Sequence, residues 1–252
     1  MKRLILTLLM GTSLFLGTNV DAQTKADTKA LTPVDVTAYV GFATPRRGFA
    51  DVATDGFDVG VKARFPIERH LSIVGSIDLF TNNFANGSHL YKIVHSDFSA
   101  ISYDGKPTFY NLPIMAQLRF GSSSSKIKNL DFWMEGAVGI NCRMISPERW
   151  TLTTVPNPVS SYIGSCSAVT DFDTKFTLAS QWGLGITLLS RYSVGLVWYN
   201  LGRSSVTGST TIVSGVLGSP DGSTVYREGS VIPFTGEKLR PRIRAFRFGL
   251  TF

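Results

Sequence analysis

The chain has two cysteines, three histidines and, beyond its N-terminal segment, no long apolar run. Each shortage excludes something. Two cysteines with no histidine beside them do not make a thiolate metal centre. Three histidines leave little material for acid–base catalysis, which falls most often to that residue. No apolar stretch past residue 22 approaches the roughly 18 residues of a membrane-spanning helix, so any further span must be built of strands. Charged residues make up only 17% of the chain, little for a soluble surface, and no repeat of the solenoid type is visible.

What is present starts at the ends. Lys2 and Arg3, an apolar run over residues 4–16 and Val20-Asp21-Ala22 follow the pattern of a secretory signal peptide cleaved before Gln23. No cysteine follows to accept a lipid. Residues 1–22 are therefore expected to be removed, residues 23–33 to form a periplasmic tether, and residues 34–252 to form one domain. Loss of Lys2, Arg3 and Asp21 lowers the net charge from +7 to +6. In an exported chain the two cysteines, Cys142 and Cys166, are expected to join in a disulfide. At the other end Phe246, Phe248, Leu250 and Phe252 alternate with smaller or polar residues, and a strand of roughly 9–11 residues suits an outer-membrane barrel.

The same alternation recurs along the chain. Strands are expected at residues 34–42, 57–65, 71–79, 110–120, 132–140, 176–188, 192–198 and 242–252, with a bulge or a missing ladder bond at Pro113. Long connections at 44–55, 82–107, 142–175 and 203–241 alternate with short turns. This asymmetry predicts an all-β fold: a transmembrane eight-stranded antiparallel up-and-down β-barrel with short periplasmic turns and long extracellular loops. A lipocalin-like soluble barrel has the same strand number, but its bulky apolar face points inward. Here the other face is mostly Gly, Ser, Thr, Asn and Gln, which suits a filled interior.

Tyr110-Asn111-Leu112-Pro113-Ile114 in the fourth strand and Phe248-Gly249-Leu250-Thr251-Phe252 in the eighth resemble the PorT-like outer-membrane β-barrel family common in Bacteroidetes, related in architecture to OmpA-type barrels. The terminal Phe after alternating apolar residues resembles the signal read by the barrel assembly machinery. The resemblance implies residence in a Gram-negative outer membrane. It carries over no catalytic residue and no cofactor.

The expected inner face bears Asp58, Lys62, Arg64, Asp78, Arg119, Glu135 and Arg247. Buried charges must pair or stay hydrated, so a network that plugs the lumen is expected, with a conducting pore as the alternative. A lipid- or peptide-modifying enzyme is a further alternative: of the three histidines His70 falls in an expected periplasmic turn, whereas His89 and His95 share a long loop with Ser88, Ser96 and Asp97 close by. Closeness in sequence does not build a triad. No catalytic residue, metal or cofactor is expected. Long loops on a rigid scaffold often bind a partner, and Phe84, Tyr91, Phe98, Tyr103, Trp150, Tyr162 and Tyr226 either offer contact surface or pack the loops against one another, in a binding or a structural role. Arg240, Arg242 and Arg244 are expected to meet lipopolysaccharide phosphates among the outer-membrane lipids. Nucleic acid is not an expected partner, and a monomer is.

Overall fold

The computed structural model describes residues 34–85, 100–123, 129–153, 165–218 and 225–252; the expected signal peptide and tether lie outside them. The strands are β1 (Asp35–Pro45), β2 (Ala53–Glu68), β3 (Leu71–Phe84), β4 (Ala100–Asp104), β5 (Thr108–Ser123), β6 (Leu130–Ile145), β7 (Glu148–Thr153) and β8 (Ser165–Phe172). They continue with β9 (Lys175–Leu188), β10 (Tyr192–Asn200), β11 (Ser204–Ser214), β12 (Val216–Gly218), β13 (Val225–Arg227), β14 (Val231–Leu239) and β15 (Arg242–Thr251). Eight of these close an antiparallel barrel in the order β1-β15-β10-β9-β6-β5-β3-β2.

Period-two alternation is what lets one chain build this wall, because successive side chains point to opposite faces of a strand. The outward positions carry Phe42, Phe57, Ile114, Val138, Phe176, Leu178 and Phe248, and Leu178 is 82% exposed. The inward positions mix small, polar and aromatic side chains. Glycine makes room for the largest of them. A Cβ at Gly185 would stand 2.4 Å from Trp133, and one at Gly195 would stand 2.6 Å from the same ring.

Pro113 sits within β5 without shifting it. Pairing with β3 runs from Leu71–Phe120 to Ile77–Ile114 and resumes in the same register from Phe80–Asn111 to Asn83–Thr108. The ladder is interrupted opposite Leu112 and Pro113, as the missing proline N–H requires, and no bulge forms.

The long connections differ from expectation. Between β1 and β2 lies only a short link containing a 3-10 turn at Arg47–Phe49. The other three, expected as loops, contain strands. β14, β11, β8, β7 and β4 form a second, five-stranded sheet in that order, and β12 pairs with β13. The order matches that of the barrel strands to which they are joined in the chain, namely β15, β10, β9, β6 and β5. The second sheet therefore continues one side of the barrel wall after breaks of two or three residues.

Candidate functional site

The middle of the barrel is held by charges. Arg247 on β15 reaches two carboxylates: Nε donates to Asp58 on β2, and Nη2 donates to Asp78 on β3 at 3.1 Å. The Tyr199 hydroxyl donates to the other oxygen of Asp78 at 3.0 Å, and Ser76 donates to it at 3.3 Å. Gln117 extends the chain by donating to Ser76 at 2.6 Å. The guanidinium of Arg247 also lies over the Tyr39 ring, 4.3 Å from its centroid. Towards the short-turn end, Lys62 and Gln181 both donate to Oε1 of Glu135, at 2.5 Å and 2.8 Å. Asp58, Lys62, Asp78, Glu135 and Arg247 are all buried.

The two remaining interior candidates are not hydrogen-bonded to these groups, although Arg119 is the cross-strand partner of Glu135. Arg64 pairs with Asp35, its direct partner across the β1–β2 ladder, at the short-turn end. Arg119 stacks its guanidinium 4.5 Å from the Trp133 centroid and approaches the Thr187 hydroxyl at 3.4 Å. Sequence reasoning missed Asp35, Tyr39, Gln181 and Tyr199. Their inward parity was the available signal, but none stood out by charge pattern alone.

The long-connection half of the interior, where a polar filling was expected, holds a large apolar cluster beside the buried side chains of Asn82, Asn111, Asn141 and Arg143, the last donating to the Ser205 carbonyl at 3.3 Å. Phe80, Phe84, Phe109, Ile145, Leu201 and Ile243 join Phe49 from the 3-10 turn in one buried cluster. Phe84 and Phe109 stack at 4.2 Å, and Phe49 meets Phe109 edge-on at 5.2 Å. A wet channel would leave its lining accessible. Phe80, Phe109 and Leu201 are 0% exposed, as are Asp58, Asn111 and Asn141 below them.

The second sheet has a separate core, in which its Trp150, Leu152, Cys166, Ala168 and Ile212 meet Leu217 of the β12–β13 pair, with Tyr103 and Tyr226 packed against them. Trp150 Nε1 donates to the Thr170 hydroxyl at 3.1 Å, which in turn bonds Thr210 at 2.9 Å. The aromatics expected as contact surface are thus turned inward: Phe84 fills the barrel, and Tyr103, Trp150 and Tyr226 fill the sheet. Tyr91, Phe98 and Tyr162 lie outside the described residues. The sheet's other face exposes Asp104, Arg149, Thr151, Asp171, Val231, Pro233 and Thr235.

The disulfide expected between Cys142 and Cys166 is not formed, and both thiols are free. Cys142 takes an outward position on β6, between Leu112 and Phe176, whereas Cys166 faces Leu152 inside the second sheet. Burial pushes the Cys166 thiol up, which leaves it a poor nucleophile. His70 Nδ1 lies 3.0 Å from the Gly121 carbonyl in a barrel turn, and His89 and His95 lie outside the described residues. Among the described residues no group of three His, Cys, Asp or Glu side chains is placed to hold a metal ion. Arg242 and Arg244 begin β15 on its outward side, and Arg240 precedes them, exposed.

No family model and no curated protein matches the chain. Among solved structures, it is similar to Ail, the attachment invasion locus protein of Yersinia pestis, at 11% identity and a TM-score of 0.40, over 88% of this chain and all of that one. It is similar to Neisserial surface protein A at 9% identity and a TM-score of 0.41, over 86% of this chain and 95% of that one. A third is the outer membrane protein OprG from Pseudomonas aeruginosa, at 13% identity and a TM-score of 0.43, with coverage of 86% and 95%.

Proposed function

We propose that the chain is an outer-membrane β-barrel that conducts nothing and serves as a rigid base for a cell-surface sheet that binds a protein partner. The observation that carries this reading is the continuity of the wall: five barrel strands lead, after short breaks, into five strands with a separate core. Residues free of any duty beyond closure would not need a second packed sheet, and loops of this length are usually functional.

The outward apolar belt supports the membrane setting, since so wide an exposed apolar surface is unfavourable in water and suited to lipid. In that setting the short-turn end faces the periplasm and the second sheet stands outside the cell. The residues resembling PorT-like barrels, Tyr110 to Ile114 and Phe248 to Phe252, support the same placement. A pore reading is disfavoured by the dry aromatic cluster above Arg247. A catalytic reading is disfavoured because Asp58, Asp78 and Glu135 are each committed to a cation and sealed from any substrate.

Binding through the exposed face of the sheet is testable on intact cells. A photo-crosslinking amino acid placed singly at Thr151, Asp171 or Thr235 is expected to give discrete adducts of higher mass, while one at lipid-facing Val138 gives none. If all three surface positions stay adduct-free on cells in their native surroundings, the binding role fails.

A further inference from the structure

The apolar belt is cut short at one corner. On β15 the outward positions read Arg242, Arg244, Phe246, Phe248 and Leu250, so two guanidinium groups replace the belt at the strand's long-connection end. On β9, by contrast, outward Leu178 and Phe176 continue the belt to the first residues of the strand. Across the ladders Arg244 faces Thr44 of β1 and Trp198 of β10, and Arg242 faces Asn200 of β10. None of these neighbours carries a negative charge.

More cations converge on the corner. The Arg46 N–H donates to the Arg242 carbonyl at 2.8 Å, which holds the following 3-10 turn against the start of β15. Arg47, in that turn, and Arg240 both lie close enough to Arg242 to repel it. Arg47 also has a left-handed backbone (φ 55°), an unusual conformation for a side chain of its size. Arg240 donates from Nε to the Asn200 side chain at 3.0 Å. Among the described residues, none of these five arginines is in a salt bridge.

Beside the cations is a flat aromatic surface. Trp198, opposite Arg244, stacks on Trp182 with centroids 3.8 Å apart and planes 5° from parallel. Both rings face outward, beside the point where arginine replaces the apolar belt on β15.

We propose that this corner binds the phosphate groups of an anionic lipid headgroup in the outer leaflet, with Arg242 and Arg244 as phosphate ligands and the Trp182–Trp198 pair packed beside the headgroup. It rests on the outer-membrane reading, since only a leaflet brings a headgroup to this height. The chemistry fits arginine, not lysine: a planar guanidinium grips phosphate through two parallel N–H bonds and is less costly to dehydrate. One phosphate between two arginines removes their mutual repulsion, and the nearby low-dielectric lipid strengthens the attraction.

The test uses the full chain folded into phosphatidylcholine vesicles containing bis-phosphorylated lipid A, with lipid retained after mild detergent extraction counted by native mass spectrometry. Wild type is expected to keep bound lipid A, and Arg242→Gln with Arg244→Gln to weaken retention roughly 5-fold per arginine, about 25-fold together. Arg47→Gln with Arg240→Gln, outside the barrel strands, is expected to weaken it too and serves if the first variant does not fold. Dephosphorylated lipid A is expected to be lost from all forms. Heat-modifiable migration reads insertion separately. If wild type fails to insert, the membrane reading falls and this proposal with it. Equal retention by inserted wild type and variants overturns the lipid site alone, and displacement by millimolar inorganic phosphate overturns it in favour of a soluble anion.

Discussion

Arg247 lies midway along β15 with a carboxylate on either side, and among the described residues neither Asp58 nor Asp78 has another cation bonded to it. Removing one partner from a buried ion pair leaves an uncompensated charge, which costs about 3–5 kcal/mol. Arg247→Met is therefore expected to lower stability by about that much in urea unfolding from lipid vesicles. Adding Asp58→Asn and Asp78→Asn is expected to restore most of the loss, because apolar or neutral replacement of a whole network is well tolerated. A single variant as stable as wild type would show that the triad does not hold the barrel. Parity made these residues legible, since an acid or base alternating with Phe or Val must point inward if the apolar face meets lipid. Arg64 illustrates the limit. Its partner Asp35 is set by the β1–β2 register, which alternation within one strand does not contain. Phe80 and Tyr199 were missed for a related reason: they hold inward positions beyond the last clear apolar–polar contrast of their strands.

The barrel strands were legible because their two faces differ sharply, and the strands of the second sheet were not because theirs do not. In β8, Cys166, Ala168 and Thr170 face the core while Ser167, Val169 and Asp171 face away, a weak contrast in size and polarity. Pro147, Pro156, Pro158 and Pro233 added the appearance of loop. The sheet nonetheless has an anchor. Trp150 is 3% exposed, and its indole N–H leads into the Thr170–Thr210 pair. Trp150→Ala is expected to destabilise the sheet by about 3–5 kcal/mol, the usual cost of emptying a large aromatic site. Limited proteolysis of vesicle-embedded protein checks it. The expected result is new cleavage between residues 148 and 172, with the barrel strands still protected. Cleavage no faster than in wild type would mean that the sheet does not depend on this core, and loss of barrel protection would mean that the two are one cooperative unit.

The described strands from β1 to β15 form a wall that closes on itself at one end and continues as an open sheet at the other. An eight-stranded barrel is just wide enough for side chains to fill, and this one is filled twice, by the charge network and by the aromatic cluster above it. Closure of the wall was legible from the even strand count and the alternation of short and long connections. The dry aromatic filling was not, because it draws on Phe49, Phe84 and Leu201, which lie at or beyond the ends of the recognisable strands. Under the proposed function, a filled lumen and a packed second sheet leave any activity to the exterior. Planar-bilayer recording of the purified, folded protein is the sharpest check on that assignment. Quiet bilayers are predicted for wild type, and also for Phe49→Ala together with Phe109→Ala, because the charge network still fills the lumen when the cluster is emptied. Stable, stepwise conductance from the wild-type protein would mean that the lumen opens and that the interior, not the sheet, is where this protein works.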